Sequence, residues 1–124
     1  MTVLIVEDSP SCSKLFHDLL DAYGIESRQT RTAFEAIQCI KELRPELVLM
    51  DVRLPDTSGL ALARWLKTDD DLASISIVAV TASATPEGEK LALAVGCDDY
   101  VAKPISLVPF IKTIKKYVSP RYDA

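Results

Sequence analysis

Four short apolar runs in this chain each stop at a residue that carries chemistry, and that repetition limits the fold more than any other feature. Leu47-Val48-Leu49-Met50 runs into Asp51, Val3 to Val6 meets Glu7-Asp8, Ile75 to Val80 meets Thr81, and Tyr100 to Ala102 meets Lys103. The first three are apolar at both parities, as strands covered on both faces of a parallel sheet are. Two acids, a third acid, a hydroxyl and an ammonium therefore gather at one edge of the sheet.

Helical patterns with their own start and stop signals separate the runs. Ser9-Pro10 offers an N-cap and a first-turn proline, Leu15, Phe16, Leu19, Leu20 and Tyr23 follow at helical spacing, and Gly24 ends the element. Ile25 to Thr30, with Glu26, Arg28 and Gln29, reads as a strand nearer the sheet edge. Thr32 caps a second helix, with Ala33, Ala36, Ile37, Ile40 and Leu43 on its apolar face, which ends before Pro45. A third helix starts at Ser58-Gly59 and carries Leu60, Ala63 and Leu66. A fourth starts at Thr85-Pro86, runs over Leu91, Leu93, Ala94 and Val95, and stops at Gly96. Asp98 to Ala102 is a fifth strand, and Ser106 caps a fifth helix with Leu107, Phe110, Ile111, Ile114 and Val118 on its face.

The alternation is (βα)5. Short connections between parallel strands require right-handed crossovers with helices on both faces. The expected fold is thus an α/β, doubly wound, flavodoxin-like three-layer sandwich with strand order 2-1-3-4-5 and its crevice between strands one and three. That order sets Asp8 and Asp51 on adjacent strands, with Thr81 and Lys103 on the other side of Asp51.

Composition narrows the function classes. A chain of 124 residues that is 48% hydrophobic is one domain with a real core, and no apolar run approaches the roughly 18 residues of a membrane span. The start has no basic region and soon carries Glu7 and Asp8, so a cytoplasmic protein without membrane insertion is expected. A net charge of −4 argues against direct DNA binding, which needs a phosphate-neutralising surface. Cys12, Cys39 and Cys97 are far apart and lack metal spacing, so they read as small buried hydrophobes. Asp69-Asp70-Asp71 reads as a solvated loop.

Converging carboxylates raise one another's pKa unless a cation compensates. Oxygen ligands with open water positions describe Mg²⁺ better than Zn²⁺. Lys103 precedes Pro104, which holds it in an extended or turn dipeptide at a strand end, where its ammonium can meet phosphate or carboxylate. Thr81-Ala82-Ser83 adds a hydroxyl beside a small residue. Phosphoryl transfer onto Asp51 fits this inventory, with Mg²⁺ and Lys103 neutralising the phosphoryl oxygens.

The pattern of Glu7-Asp8, Asp51 followed by Leu-Pro-x-x-x-Gly, Thr81-Ala82, and Tyr100-x-x-Lys103-Pro104 resembles the receiver domain of bacterial two-component response regulators, over residues 2 to about 118. The resemblance implies that Asp51 is the phosphoacceptor and that Glu7, Asp8, Asp51 and the Arg53 backbone carbonyl hold Mg²⁺. It also implies a cis Lys103–Pro104 peptide. Thr81 and Tyr100 would be the switch, reshaping the surface of helix four, strand five and helix five for a downstream protein. Arg53 and Ser83 would tune phosphoryl lifetime. The phosphodonor would be a sensor histidine kinase or a histidine phosphotransfer protein.

Lys14-Leu-Phe-His-Asp-Leu-Leu20, Trp65-Leu-Lys-x-Asp-Asp-Asp-Leu-Ala73 and Lys103-Pro-Ile-Ser106 are similar to the stand-alone DivK-type regulators of polar differentiation and cell division. That likeness implies a role in cell-cycle or polarity control, recruitment to a cell pole by a partner, and a monomer or weak dimer. His17 reads as a partly exposed helix residue rather than a phosphate carrier. Residues 1–118 are expected to form the receiver and 119–124 a polar tail, with no output domain, so output is binding to another protein.

Three rival readings stay open. A phosphate sink would have no downstream partner. An aspartyl-phosphate phosphatase would want a second aspartate where Arg53 stands. A flavin carrier would want bare amides where Glu7-Asp8 stands.

Overall fold

The computed structural model describes residues 2–119. The polar tail expected over 119–124 lies, Ser119 apart, outside the described residues. The elements run β1 (Thr2–Val6), α1 (Pro10–Ala22), β2 (Glu26–Thr30), α2 (Ala33–Leu43), β3 (Leu47–Asp51), α3 (Gly59–Thr68), β4 (Ser76–Thr81), α4 (Pro86–Ala94), β5 (Asp99–Ala102) and α5 (Leu107–Ile114). All strand pairs are parallel, in the order β2-β1-β3-β4-β5, as the alternation predicts.

Strand parity divides the core. Leu4, Val6, Val48, Met50, Ile77 and Ala79 pack toward α2, α3 and α4, while Val3, Ile5, Leu47, Leu49, Val78 and Val80 pack toward α1 and α5. Each of these side chains is buried, and burying each valine, leucine, isoleucine or methionine among them stabilises the fold by roughly 1.5–3 kcal/mol. β2 lies at the edge and is mostly exposed, which explains the polar residues along it.

The helix starts are built as their sequences indicate. Ser9, Thr32, Ser58 and Thr85 each accept a backbone N–H with the side chain. Ser106 occupies the cap position of α5 but makes no such bond. α2 ends on Arg44 in the left-handed region at φ 49°, directly ahead of Pro45.

Four apolar faces differ in part from expectation: Leu15 of α1 and Leu107 of α5, both read as face residues, are each 46% exposed, and α4 and α3 turn other residues inward than those read from the sequence. In α4, Ala92 is the buried residue, whereas Leu91 and Leu93 are 54% and 48% exposed. Gly88, Ala92 and Val95 fall on the inner face at helical spacing, so the leucines lie on its flanks. In α3 it is Leu62, with Gly59, Ala63 and Leu66, that is buried; Leu60 is half-buried. Of the cysteines, Cys97 is buried, while Cys12 and Cys39 are half-buried. The Asp69–Asp71 segment closes on itself, with the Asp71 N–H donating to Asp69 Oδ1 at 2.9 Å. No helix among the described residues is long and apolar enough to cross a membrane.

Candidate functional site

The carboxyl ends of β1, β3, β4 and β5 bring Glu7, Asp51, Thr81 and Lys103 to one edge of the sheet. Val6 pairs with Met50, Asp51 with Val80, and Thr81 with Ala102, so parallel register alone aligns the positions that follow. The Glu7 backbone N–H donates to Thr30 O at 3.0 Å and the Lys103 N–H to Thr81 O at 2.7 Å, which extends the ladder past the last strand residues.

Lys103 joins the site. Its Nζ donates to Glu7 Oε1 at 2.6 Å and to Asp51 Oδ2 at 3.0 Å, across 96 and 52 residues of sequence. Glu7 is 2% exposed, and its other oxygen accepts the Ser9 N–H at 3.0 Å. Asp51 is half-buried, and its Oδ1 accepts the Arg53 N–H at 2.9 Å. Both carboxylates are thus held by two donors each, and both face one cation.

Burial pushes the Glu7 carboxyl up, and the hydrogen bond from Lys103 offsets that only in part; the charge of Asp51 adds to the rise. For Lys103 burial works against the ammonium, but hydrogen bonds to Glu7 and Asp51 outweigh it and raise its pKa. The ammonium therefore stays charged, and it is the group that makes two adjacent carboxylates tolerable.

Asp8 is set apart from this pair. It is exposed, and its Oδ1 lies 3.4 Å from Arg31 Nη2 at the end of β2. The three acids do not converge as a set: among the described residues no three acid, His or Cys side chains are gathered around a metal position. The donor chemistry nonetheless suits a hard cation, since all three groups are carboxylates at one strand edge. The Asp8–Arg31 pair is long and half exposed, of the kind worth about 0–1 kcal/mol, so Asp8 can turn to another cation.

Thr81 is buried, and its Oγ1 accepts the Ser83 N–H at 3.1 Å. Ser83 and Arg53 are exposed at the rim, and Arg53 forms an isolated bridge with Ser58 across the β3–α3 loop. Tyr100 is half-buried on β5, with its phenol over the first turn of α4. The Lys103–Pro104 peptide is cis. His17 lies elsewhere: its Nδ1 is 2.6 Å from Ser27 Oγ, in a cleft with Thr2 and Glu26 at the opposite, amino-terminal end of the strands.

Two contributors, Arg31 and Asp56, were not singled out from the sequence, and a third, Gly59, stood there only as a motif glycine and a helix start. Arg31 faces Asp8; it follows an edge strand that neighbours β1, a position the expected strand order already contained. Gly59 lets the β3–α3 loop fold back, since a Cβ there would overlap the Asp51 carbonyl oxygen. Asp56 accepts the N–H groups of Ala33 and Phe34 at 2.9 and 3.0 Å, tying that loop to the start of α2. Those bonds hold the Asp56 carboxyl below its usual range. No local pattern signals so distant a cap.

Known proteins are similar to this chain in sequence and in fold. The chain is 47% identical over 117 residues to the polar-differentiation response regulator DivK of Brucella anthropi, covering 94% of this chain and 95% of the relative. Identity to DivK of Brucella ovis is 45% over the same span. A response regulator from Chloroflexus aurantiacus superposes with a TM-score of 0.90 at 26% identity, covering 94% of this chain and 95% of the other. The receiver domain of sensor histidine kinase PA1611 from Pseudomonas aeruginosa, solved with a magnesium ion coordinated in the active site cleft, gives 0.85 at 25% identity over 94% and 95% of the two chains. The model of the response regulator receiver domain matches residues 3–115. With its strand order, its lysine-bridged carboxylates and a match over nearly its whole length, the chain belongs to the response regulator receiver domain family, whose members signal rather than serve as dedicated enzymes.

Proposed function

We propose that residues 1–118 are a receiver that takes a phosphoryl group onto Asp51 from a histidine kinase or histidine phosphotransfer protein and signals by binding another protein. The observation that carries this reading is the Lys103 ammonium between Glu7 and Asp51, at 2.6 and 3.0 Å. One cation beside one accessible carboxylate suits a group-transfer step that is mainly positioning and charge neutralisation.

An Asp51 oxygen forms the new P–O bond as the donor's P–N bond breaks, and the Lys103 ammonium meets the negative charge of the incoming phosphoryl oxygens. Glu7, Asp8, Asp51 and the Arg53 carbonyl would hold Mg²⁺, which when bound supplies further positive charge for those oxygens. Thr81 then turns its hydroxyl from the Ser83 amide to the phosphoryl group, and Tyr100 moves into the space vacated. Arg53 and Ser83, exposed at the rim, set how readily water reaches the phosphoryl group.

An apolar cleft of about 420 Å³ beside the site supports the approach of a donor helix. It is lined by Cys12, Leu15, Phe16, Ala82, Pro104 and Ile105, together with Lys103 of the site. Output leaves by the α4-β5-α5 surface, which Tyr100 borders. The likeness to DivK proteins supports a role in polarity or cell-cycle control, with recruitment to a pole by the partner.

The test is incubation with Mg²⁺ and a small phosphodonor such as acetyl phosphate. One base- and hydroxylamine-labile phosphoryl group should be added, absent in Asp51→Asn. Equal labelling of Asp51→Asn would show that the acceptor lies elsewhere.

A further inference from the structure

We propose that Gly88 is a positioning residue for Tyr100: its missing side chain is a seat that holds the phenol against α4, and residue 88 sets how readily the ring leaves. Its effect on signalling rests on the switch assigned to Tyr100 above; the seat itself rests on geometry alone.

Gly88 lies in the first turn of α4, where glycine weakens a helix relative to alanine. The backbone does not call for it, since the glycines with positive φ are Gly24 and Gly96. Space does. A Cβ on Gly88 would stand 2.8 Å from the Tyr100 hydroxyl oxygen, a separation that real Cβ atoms essentially never show, and 3.1 Å from Thr85 Oγ1.

Neither the helix nor the strand yields easily to relieve that overlap. Thr85 Oγ1 is fixed as the cap of α4, accepting the Gly88 N–H at 3.0 Å. The Tyr100 backbone is fixed in β5 opposite Ala79. The ring alone has room to move, because a cleft of about 410 Å³ opens beside it between Ala84, Pro86, Glu89 and Ala102. The nearest ring carbon, Cζ, would sit 3.8 Å from the added Cβ, an ordinary contact, so the conflict is with the hydroxyl.

A cycle of Gly88→Ala, Tyr100→Phe and the double variant tests the seat, read by urea unfolding and by ¹⁹F NMR of protein labelled with 3-fluorotyrosine. In the Tyr100→Phe background only the 3.1 Å approach to Thr85 Oγ1 remains, so Gly88→Ala should change the urea midpoint more favourably there than it does beside Tyr100. The Tyr100 resonance should move toward the position it takes in wild type with beryllofluoride, the ratio of the two ring positions shifting about tenfold. An equal change of the midpoint in both backgrounds, in either direction, with the Tyr100 resonance unmoved, would overturn the seat. If beryllofluoride leaves the wild-type resonance in place, the switch reading falls, and the cycle alone decides the seat.

Discussion

Replacing Lys103 by methionine keeps much of the stem and removes the one cation shared by Glu7 and Asp51. Glu7 is 2% exposed and then faces Asp51 with nothing between them. Removing one partner of a buried pair costs about 3–5 kcal/mol when the remaining charge cannot escape. Glu7 can escape by taking a proton, so the loss depends on pH. Its pKa is already raised by burial, and without Lys103 it rises further. A raised carboxyl pKa favours folding while the group is protonated, and that contribution is lost as pH climbs from the ordinary value of 4.5 through the folded one. Each pH unit in that window is worth at most about 1.4 kcal/mol per proton.

The difference between wild type and Lys103→Met should therefore be small at pH 5 and grow to about 3–4 kcal/mol by pH 8. It should shrink again at strongly alkaline pH. The folded pKa of Lys103 is raised, so its contribution is fully present below the ordinary value of 10.5 and is lost as pH rises through the folded value. Urea unfolding in EDTA, which keeps divalent cations from replacing the ammonium, measures this directly. Adding Glu7→Gln to Lys103→Met should recover most of the loss at pH 8. A penalty of equal size at pH 5 and pH 8, or no recovery in the double variant, would refute the view that Lys103 is there to hold two carboxylates.

Gly59→Ala should lose about 2–3 kcal/mol and slow the labelling of Asp51, because a Cβ meets the Asp51 carbonyl oxygen and the loop must move; a urea midpoint within error of wild type would show that the loop yields freely. Asp56 should titrate below the ordinary 3.8, and the cap it provides to α2, present above that value, should be lost as pH falls through the folded pKa. Carboxyl ¹³C NMR gives the midpoint, and Asp56→Ala should speed amide exchange at Ala33 and Phe34.

Local signals carried the sequence reading furthest where one residue acts on its near neighbours. Ser9 and Thr32 cap helices a few residues downstream, and the apolar run of β3 ends at Asp51 as the chain itself ends the strand. α4 was harder. Leu91 and Leu93 look like a core face in sequence, yet the helix turns Gly88, Ala92 and Val95 inward, because small residues let it lie close to the sheet. Asp56 capping α2 joins residues 22 and 23 apart, and nothing in either segment announces the other.

The sequence by itself determined the alternation of strand and helix, the handed winding that follows from it, and the acids, hydroxyl and lysine at the strand ends. Periodicity and capping are short-range, so they are written into neighbouring residues. Tertiary structure alone decided that the Lys103 ammonium binds Glu7 and Asp51 while Asp8 turns to Arg31, and that a missing methyl at Gly88 leaves room for Tyr100. Those outcomes depend on distances between side chains from separate strands and helices, which packing fixes to within an ångström and sequence spacing does not.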